Sequence, residues 1–297
     1  MKLIPVILAG LIVLCGCSLR RLAVNQFGDA LANGGGVFAT DDDPELIRQA
    51  VPFGLKLQES LLAESPRHRA LLLSLASSFT QYAYAFVQED AIEMEDKDVT
   101  AAKALRDRAR RLFIRARDYG LRGLELTYPD FGKSPLAALK QTTVRDVPLL
   151  YWTAAAWGAA IADAKDRPDI VADVGQMGAM MDRALALNET FEHGAIHAFL
   201  INYEMARPGV KPADAQARAR QHFDRALELS AGKLASPYVA YAEAVCVQQQ
   251  QRAEFTKYLQ QALAIDAYAT PEARLANLVA QRRAQWLLGK IDELFVE

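Results

Sequence analysis

Apolar residues recur at three- and four-residue intervals along almost the whole chain, and no segment holds the two-residue alternation of a strand. Leu19, Leu22, Ala23, Phe27, Ala30 and Leu31 make the first such face, which stops at Gly34-Gly35-Gly36. Asp41-Asp42-Asp43-Pro44-Glu45 then reads as a helix start: an aspartate cap, a proline in the first turn and a glutamate beside the positive end of the helix dipole. The next face runs through Leu46, Ile47, Ala50, Phe53, Gly54, Leu57, Leu61 and Leu62 to Glu64, and Pro52 inside it is expected to bend the helix or split off its first turn. Ser65-Pro66 opens a helix that is apolar from Leu71 to Phe86, and the charged run Glu93–Asp98 reads as a solvated loop. Further helices are predicted at about 99–127, 135–141, 147–164, 168–187, 190–206, 211–230, 236–250, 252–265 and 271–289. Several start at the expected punctuation: Arg167-Pro168, Lys211-Pro212, Ser236-Pro237 and Thr270-Pro271. The result is an all-α chain of about a dozen helices joined by short turns.

Four helix ends share one pattern: Gly123-Leu124-Glu125-Leu126, Ala184-Leu185-Ala186-Leu187, Ala226-Leu227-Glu228-Leu229 and Ala262-Leu263-Ala264-Ile265. Their spacing is uneven, but the last intervals approach the tetratricopeptide period of about 34 residues. Small residues let paired helices approach, and the leucines close each pair against the next. The expected fold is therefore stacked antiparallel helix pairs, tetratricopeptide-like with degenerate repeats, which bury a continuous core only when stacked.

The amino terminus departs from this pattern. Lys2 precedes an apolar stretch from Leu3 to Leu14, too short for a membrane span, and the stretch ends in Leu14-Cys15-Gly16-Cys17. That ending resembles the bacterial lipobox. The resemblance implies removal of residues 1–16 as a signal peptide and acylation of Cys17, leaving a single helical-repeat domain over 17–297 anchored by two or three chains. Ser18 is not aspartate, so the usual sorting rule favours the outer membrane of a bacterial periplasm. Charge adds little: 34 Lys+Arg stand against 36 Asp+Glu, without the basic stripe of a nucleic-acid surface. Cys246, in Ala244-Val245-Cys246-Val247, reads as a buried, inert thiol with no internal disulfide partner.

Beyond the lipobox and the repeats, several stretches carry a family likeness. They are Gly34-Gly35-Gly36 with Asp41-Asp42-Asp43-Pro44-Glu45-Leu46, Pro52-Phe53-Gly54-Leu55-Lys56-Leu57-Gln58-Glu59-Ser60-Leu61-Leu62, and Tyr151-Trp152 followed by Trp157-Gly158-Ala159-Ala160-Ile161. Met181-Asp182-Arg183-Ala184-Leu185, Gly194-Ala195-Ile196-His197, Arg274-Leu275-Ala276-Asn277 and Ala284-Gln285-Trp286-Leu287-Leu288 continue it. In order and spacing they resemble the TRAP transporter T-component family. The resemblance implies an all-helical periplasmic lipoprotein without catalytic chemistry or cofactor. It also implies a homotrimer that associates with the extracytoplasmic solute-binding protein of a TRAP-type uptake system. An envelope-assembly scaffold built on the same repeats is the alternative.

The candidate groove or partner-contact residues are Asp41, Asp42, Asp43, Tyr151, Trp152, Trp157 and His197. Asp41-Asp42-Asp43 offers oxygen ligands, but the alternating calcium loop is missing and helix capping accounts for an aspartate there. His193 and His197 sit at zinc-compatible helical spacing, yet Gly194 stands where a zinc protease has glutamate, so a structural histidine and no metal are expected. Tyr82, Tyr84 and Phe86 join Tyr151, Trp152 and Trp157 as an aromatic supply, either core or the wall of a concave groove. No Gly-x-Ser-x-Gly elbow or reactive-cysteine setting supports a hydrolase.

Overall fold

A computed structural model describes residues 24–32, 34–164 and 171–295. The predicted signal peptide, Cys17, the first apolar residues Leu19, Leu22 and Ala23, and the helix start predicted at Arg167-Pro168 lie outside these residues. Among the described residues all regular structure is helical. The helices are α1 (24–32), α2 (Gly35–Ala39), α3 (Pro44–Glu64), α4 (Arg69–Tyr82), α5 (Glu89–Met94), α6 (Val99–Glu125), α7 (Pro135–Leu139) and α8 (Val147–Ala162). They continue with α9 (Val174–Leu187), α10 (Ala195–Ala206), α11 (Pro212–Leu229), α12 (Ser236–Tyr241), α13 (Arg252–Leu263), α14 (Arg274–Gly289) and α15 (Ile291–Leu294). Two π-helical turns interrupt the pattern: Ala83–Gln88 joins α4 to α5, and Ala242–Cys246 follows α12.

Three local expectations are corrected. Pro52 does not split off a first turn of α3, since Ile47, Leu55 and Leu62 on both sides of the proline are buried in one core against α4. Helix α4 starts at Arg69 rather than at Ser65-Pro66, with His68 as its cap: Nδ1 accepts the Leu71 N–H at 3.2 Å. The charged run after Ile92 is not simply a solvated loop. Glu93 lies in the last turn of α5 and pairs with Arg282 at 2.8 Å, Asp96 pairs with Lys290 at 2.5 Å, and Glu95 pairs with Arg106.

Apolar side chains collect into three clusters arranged in series. The first joins α3, α4 and α6 through Leu55, Leu62, Leu72, Leu75, Phe79 and Phe113. Residues 69–94 are apolar enough to cross a membrane by composition, but most of that apolar stretch is buried inside the protein. The second cluster holds Leu124, Phe131, Leu150, Trp157, Met180 and Leu200, and the third holds Ile201, Phe223, Val239, Phe255, Leu259 and Leu287. Leu200 and Ile201, neighbours on α10, face different clusters, so each core hands over to the next through a shared helix. In the four repeated motifs the leading small residue is buried, at Gly123, Ala184, Ala226 and Ala262. A small side chain there sets how closely helices pack.

The series does not stay open. Helix α14 packs back against α2 and α3. Arg274 Nη1 donates to the Thr40 carbonyl at 2.7 Å, and Arg282 reaches Glu93. The carboxyl end of the chain therefore closes onto its first helices.

Candidate functional site

Both π-helical turns contribute to one place. A π turn inserts an extra residue into a helix and swings the following side chains round, and such turns are frequent at functional sites. The first turn carries Tyr84 and leads into Glu89; the second carries Glu243. Between them Arg283 of α14 donates from Nη1 to Glu89 at 3.3 Å and from Nη2 to Glu243 at 2.5 Å. Its guanidinium lies over the Trp286 ring, 4.6 Å from the centroid. Arg283 and Glu89 are both buried. Burial pushes the Glu89 carboxyl up to about 7, against the opposing pull of Arg283. Arg283 itself stays protonated, held above its ordinary value by Glu243 and Glu89 against its own burial.

Tyr84 is 48% exposed, yet desolvation drives its hydroxyl well above the ordinary tyrosine range, with Glu89 and Glu243 adding to the effect. A ring that is half-exposed yet desolvated by the surrounding protein marks a recess. Tyr151, at the start of α8, is shifted the same way by burial, by Glu192 and then by Tyr84. Its ring meets Trp152 edge-on at 5.0 Å and tilts against Phe191 at 5.2 Å, forming an aromatic corner.

Glu192 completes the wall. It precedes α10 in a run of left-handed backbone, with φ of 42° at Glu192, 55° at His193 and 93° at Gly194. Left-handed conformations in non-glycine residues cost energy and gather at ligand clamps and active sites. Gly194 tolerates this conformation without a Cβ penalty. The Glu192 carboxylate accepts a hydrogen bond from the Trp152 side chain, and burial raises it to about 7. No arginine or lysine among the described residues forms an ion pair with it.

The remaining predicted residues lie elsewhere. Asp43 is the cap of α3, its Oδ1 accepting the N–H groups of Glu45 and Leu46 at 3.0 Å, and Asp41 accepts the Asp43 N–H at 2.8 Å. Asp42 is exposed beside them. Trp157 is 5% exposed in the second core, under the Arg117 guanidinium at 5.3 Å. His197 is buried between α10 and α11, with Nδ1 2.9 Å from Nδ1 of His222 and Nε2 3.5 Å from Glu189. His193 does not share its helical face, because α10 begins only at Ala195. Cys246 is fully buried, and burial pushes its thiol up to about 12.

The structure thus gathers Tyr151 and Trp152 with Tyr84, Glu89, Glu192, Glu243 and Arg283. Sequence reasoning named Tyr84 only as part of an aromatic supply, offered Glu192 only as a further candidate ligand beside the histidines, and missed Glu89, Glu243 and Arg283. Their signal was weak: each is one charge on a helix rich in charges, or a residue in a turn.

Among the described residues the array is all-helical, with stacked helix contacts, and that defines its class. The chain belongs to the TRAP transporter T-component family, whose model matches residues 40–295. It is accordingly an accessory, non-catalytic component of a TRAP-type transport system, associated with the cell envelope. It is also similar to an uncharacterized protein of Treponema pallidum (strain Nichols), 29% identical over 311 residues that cover 97% of this chain and 96% of that protein.

Proposed function

We propose that the protein is a periplasmic lipoprotein, anchored in the outer membrane through acylated Cys17. In this reading it forms a homotrimer, binds the solute-binding protein of a TRAP system and takes a small ligand into the recess. The observation that carries the reading is the family match across the helical array, supported by the aromatic-walled recess within it. Helical arrays present extended surfaces to partner proteins, and concave apolar recesses with few polar groups suit small ligands. Confinement to a membrane surface raises the local concentration of both partners, so a weak contact suffices.

The test is capture of partners by the full chain, crosslinked in the envelope and then purified. Retention of a TRAP-class solute-binding protein and a trimeric mass support the proposal. A monomer that retains envelope-assembly proteins instead overturns it in favour of a scaffold role. Cys17→Ser is expected to abolish metabolic labelling by fatty acid; equal label in the variant removes the anchor.

A further inference from the structure

We propose that the recess selects an organic cation, a quaternary ammonium or protonated amine with an apolar body, seated against Tyr84, Tyr151 and Trp152 with Glu192 as its counter-ion. This specifies the ligand of the recess and rests on reading the recess as a ligand site.

The charges around the recess favour this sign. Glu89, Glu192 and Glu243 supply carboxyls, whereas Arg283 is the cation that Glu89 and Glu243 share. Arg283 is already committed: its two terminal nitrogens bond Glu89 and Glu243, and its planar face rests on Trp286. An anionic ligand would have to break that buried bridge and then face the remaining carboxyls. A cation meets no such obstacle at Glu192, whose carboxylate has the Trp152 side chain as its hydrogen-bond donor and no basic partner among the described residues.

The aromatic walls favour a weakly hydrated cation in particular. Tyr151 and Trp152 meet at an interplanar angle of 77°, and Tyr151 and Phe191 at 55°, so the rings build a corner rather than a closed stack. Tyr84 presents a half-exposed ring close enough to perturb the Tyr151 hydroxyl. Ring faces carry negative potential and attract desolvated cations, and aromatic cages are a recurrent solution for quaternary ammonium groups. A compact, strongly hydrated ion gains less there, because it must shed its water before touching the rings.

Glu192 is also placed at some cost. Its backbone is left-handed, and burial disfavours its ionised form, raising the carboxyl to about 7. A carboxyl held in a strained turn, with no basic partner among the described residues, is explained if a charged ligand supplies that partner.

Choline and its uncharged isostere 3,3-dimethyl-1-butanol, titrated calorimetrically into the full chain in lipid nanodiscs, separate charge from shape. Choline is expected to bind at least about tenfold more tightly than the alcohol. Glu192→Gln is expected to bring the two within about twofold, and Tyr151→Leu to weaken choline more than the alcohol. If Glu192→Gln disturbs folding, Glu192→Asn removes the charge with a residue that tolerates left-handed backbone. Equal affinity of the two probes, or a choline preference that survives loss of the Glu192 charge, overturns the cation assignment and leaves the recess a ligand site. Binding of neither probe overturns both readings of the recess, while partner capture tests the transporter role independently.

Discussion

A solvent-exposed histidine protonates near pH 6.5. His222 is held down to about 4, first by burial and then by the facing His197 and by Arg207. His197 is lowered too, chiefly by burial, although Glu189 pulls the other way. The folded values lie below the unfolded one, so the unfolded chain binds more protons between about pH 4 and 6.5. The contribution to stability is therefore complete above about pH 6.5 and is lost as pH falls toward 4. His222→Asn is expected to lose less stability on acidification from pH 7 to 4, the difference being on the order of 2 kcal/mol, read by urea titration at each pH. Glu89 and Glu192, raised to about 7, act in the opposite sense but are common to both proteins, so the comparison isolates the histidine. The sequence offered His193 as the partner of His197, by spacing along one chain. The actual partner is on the next helix, which spacing within one segment does not encode.

Element boundaries were largely legible, because caps and apolar periodicity act over one turn. Asp43, Asp98 and the Thr143–Asp146 capping box sit where helices or their leading turns begin. The π turns were not legible. The stretch of α4 through α5 reads as one continuous helical face, and the extra residue at Ala83–Gln88 belongs to the packing around Tyr84 and Glu89 rather than to local propensity. Helix spacing is a second property decided by contact. At the α6–α8 seam a Cβ on Gly120 would stand 2.0 Å from Thr153 Oγ1 and 3.3 Å from the Thr153 Cα. Thr153 cannot simply turn aside, since its Oγ1 donates to the Leu149 carbonyl at 2.5 Å and its backbone lies within the clash. Gly120→Ala is expected to cost about 1–3 kcal/mol in chemical denaturation despite its better helix propensity. Gly36→Ala, with open space around the new methyl, is the control.

At the scale of the molecule, Arg283 joins the two ends of the array, bonding Glu89 of α5 and Glu243 of the second π turn. Removing one partner of a buried bridge leaves an uncompensated charge, at a cost of about 3–5 kcal/mol. Arg283→Met is expected to lose that much in urea denaturation, and adding Glu89→Gln to recover part of it. Additive losses in the double variant would deny the pairing. Leu46 and Phe53, placed on the buried face of α3, are exposed, but the amino-acid sequence by itself determined the helices, the small residues at the seams and the family likeness. These properties rest on residues three or four positions apart, whose geometry the helix itself imposes. Only the tertiary structure decided that Tyr84, Tyr151, Trp152 and Glu192 share one recess, that Trp157 belongs to the core and that α14 returns to α5. Those relations join residues separated by up to most of the chain, and the summed packing of the intervening helices sets them.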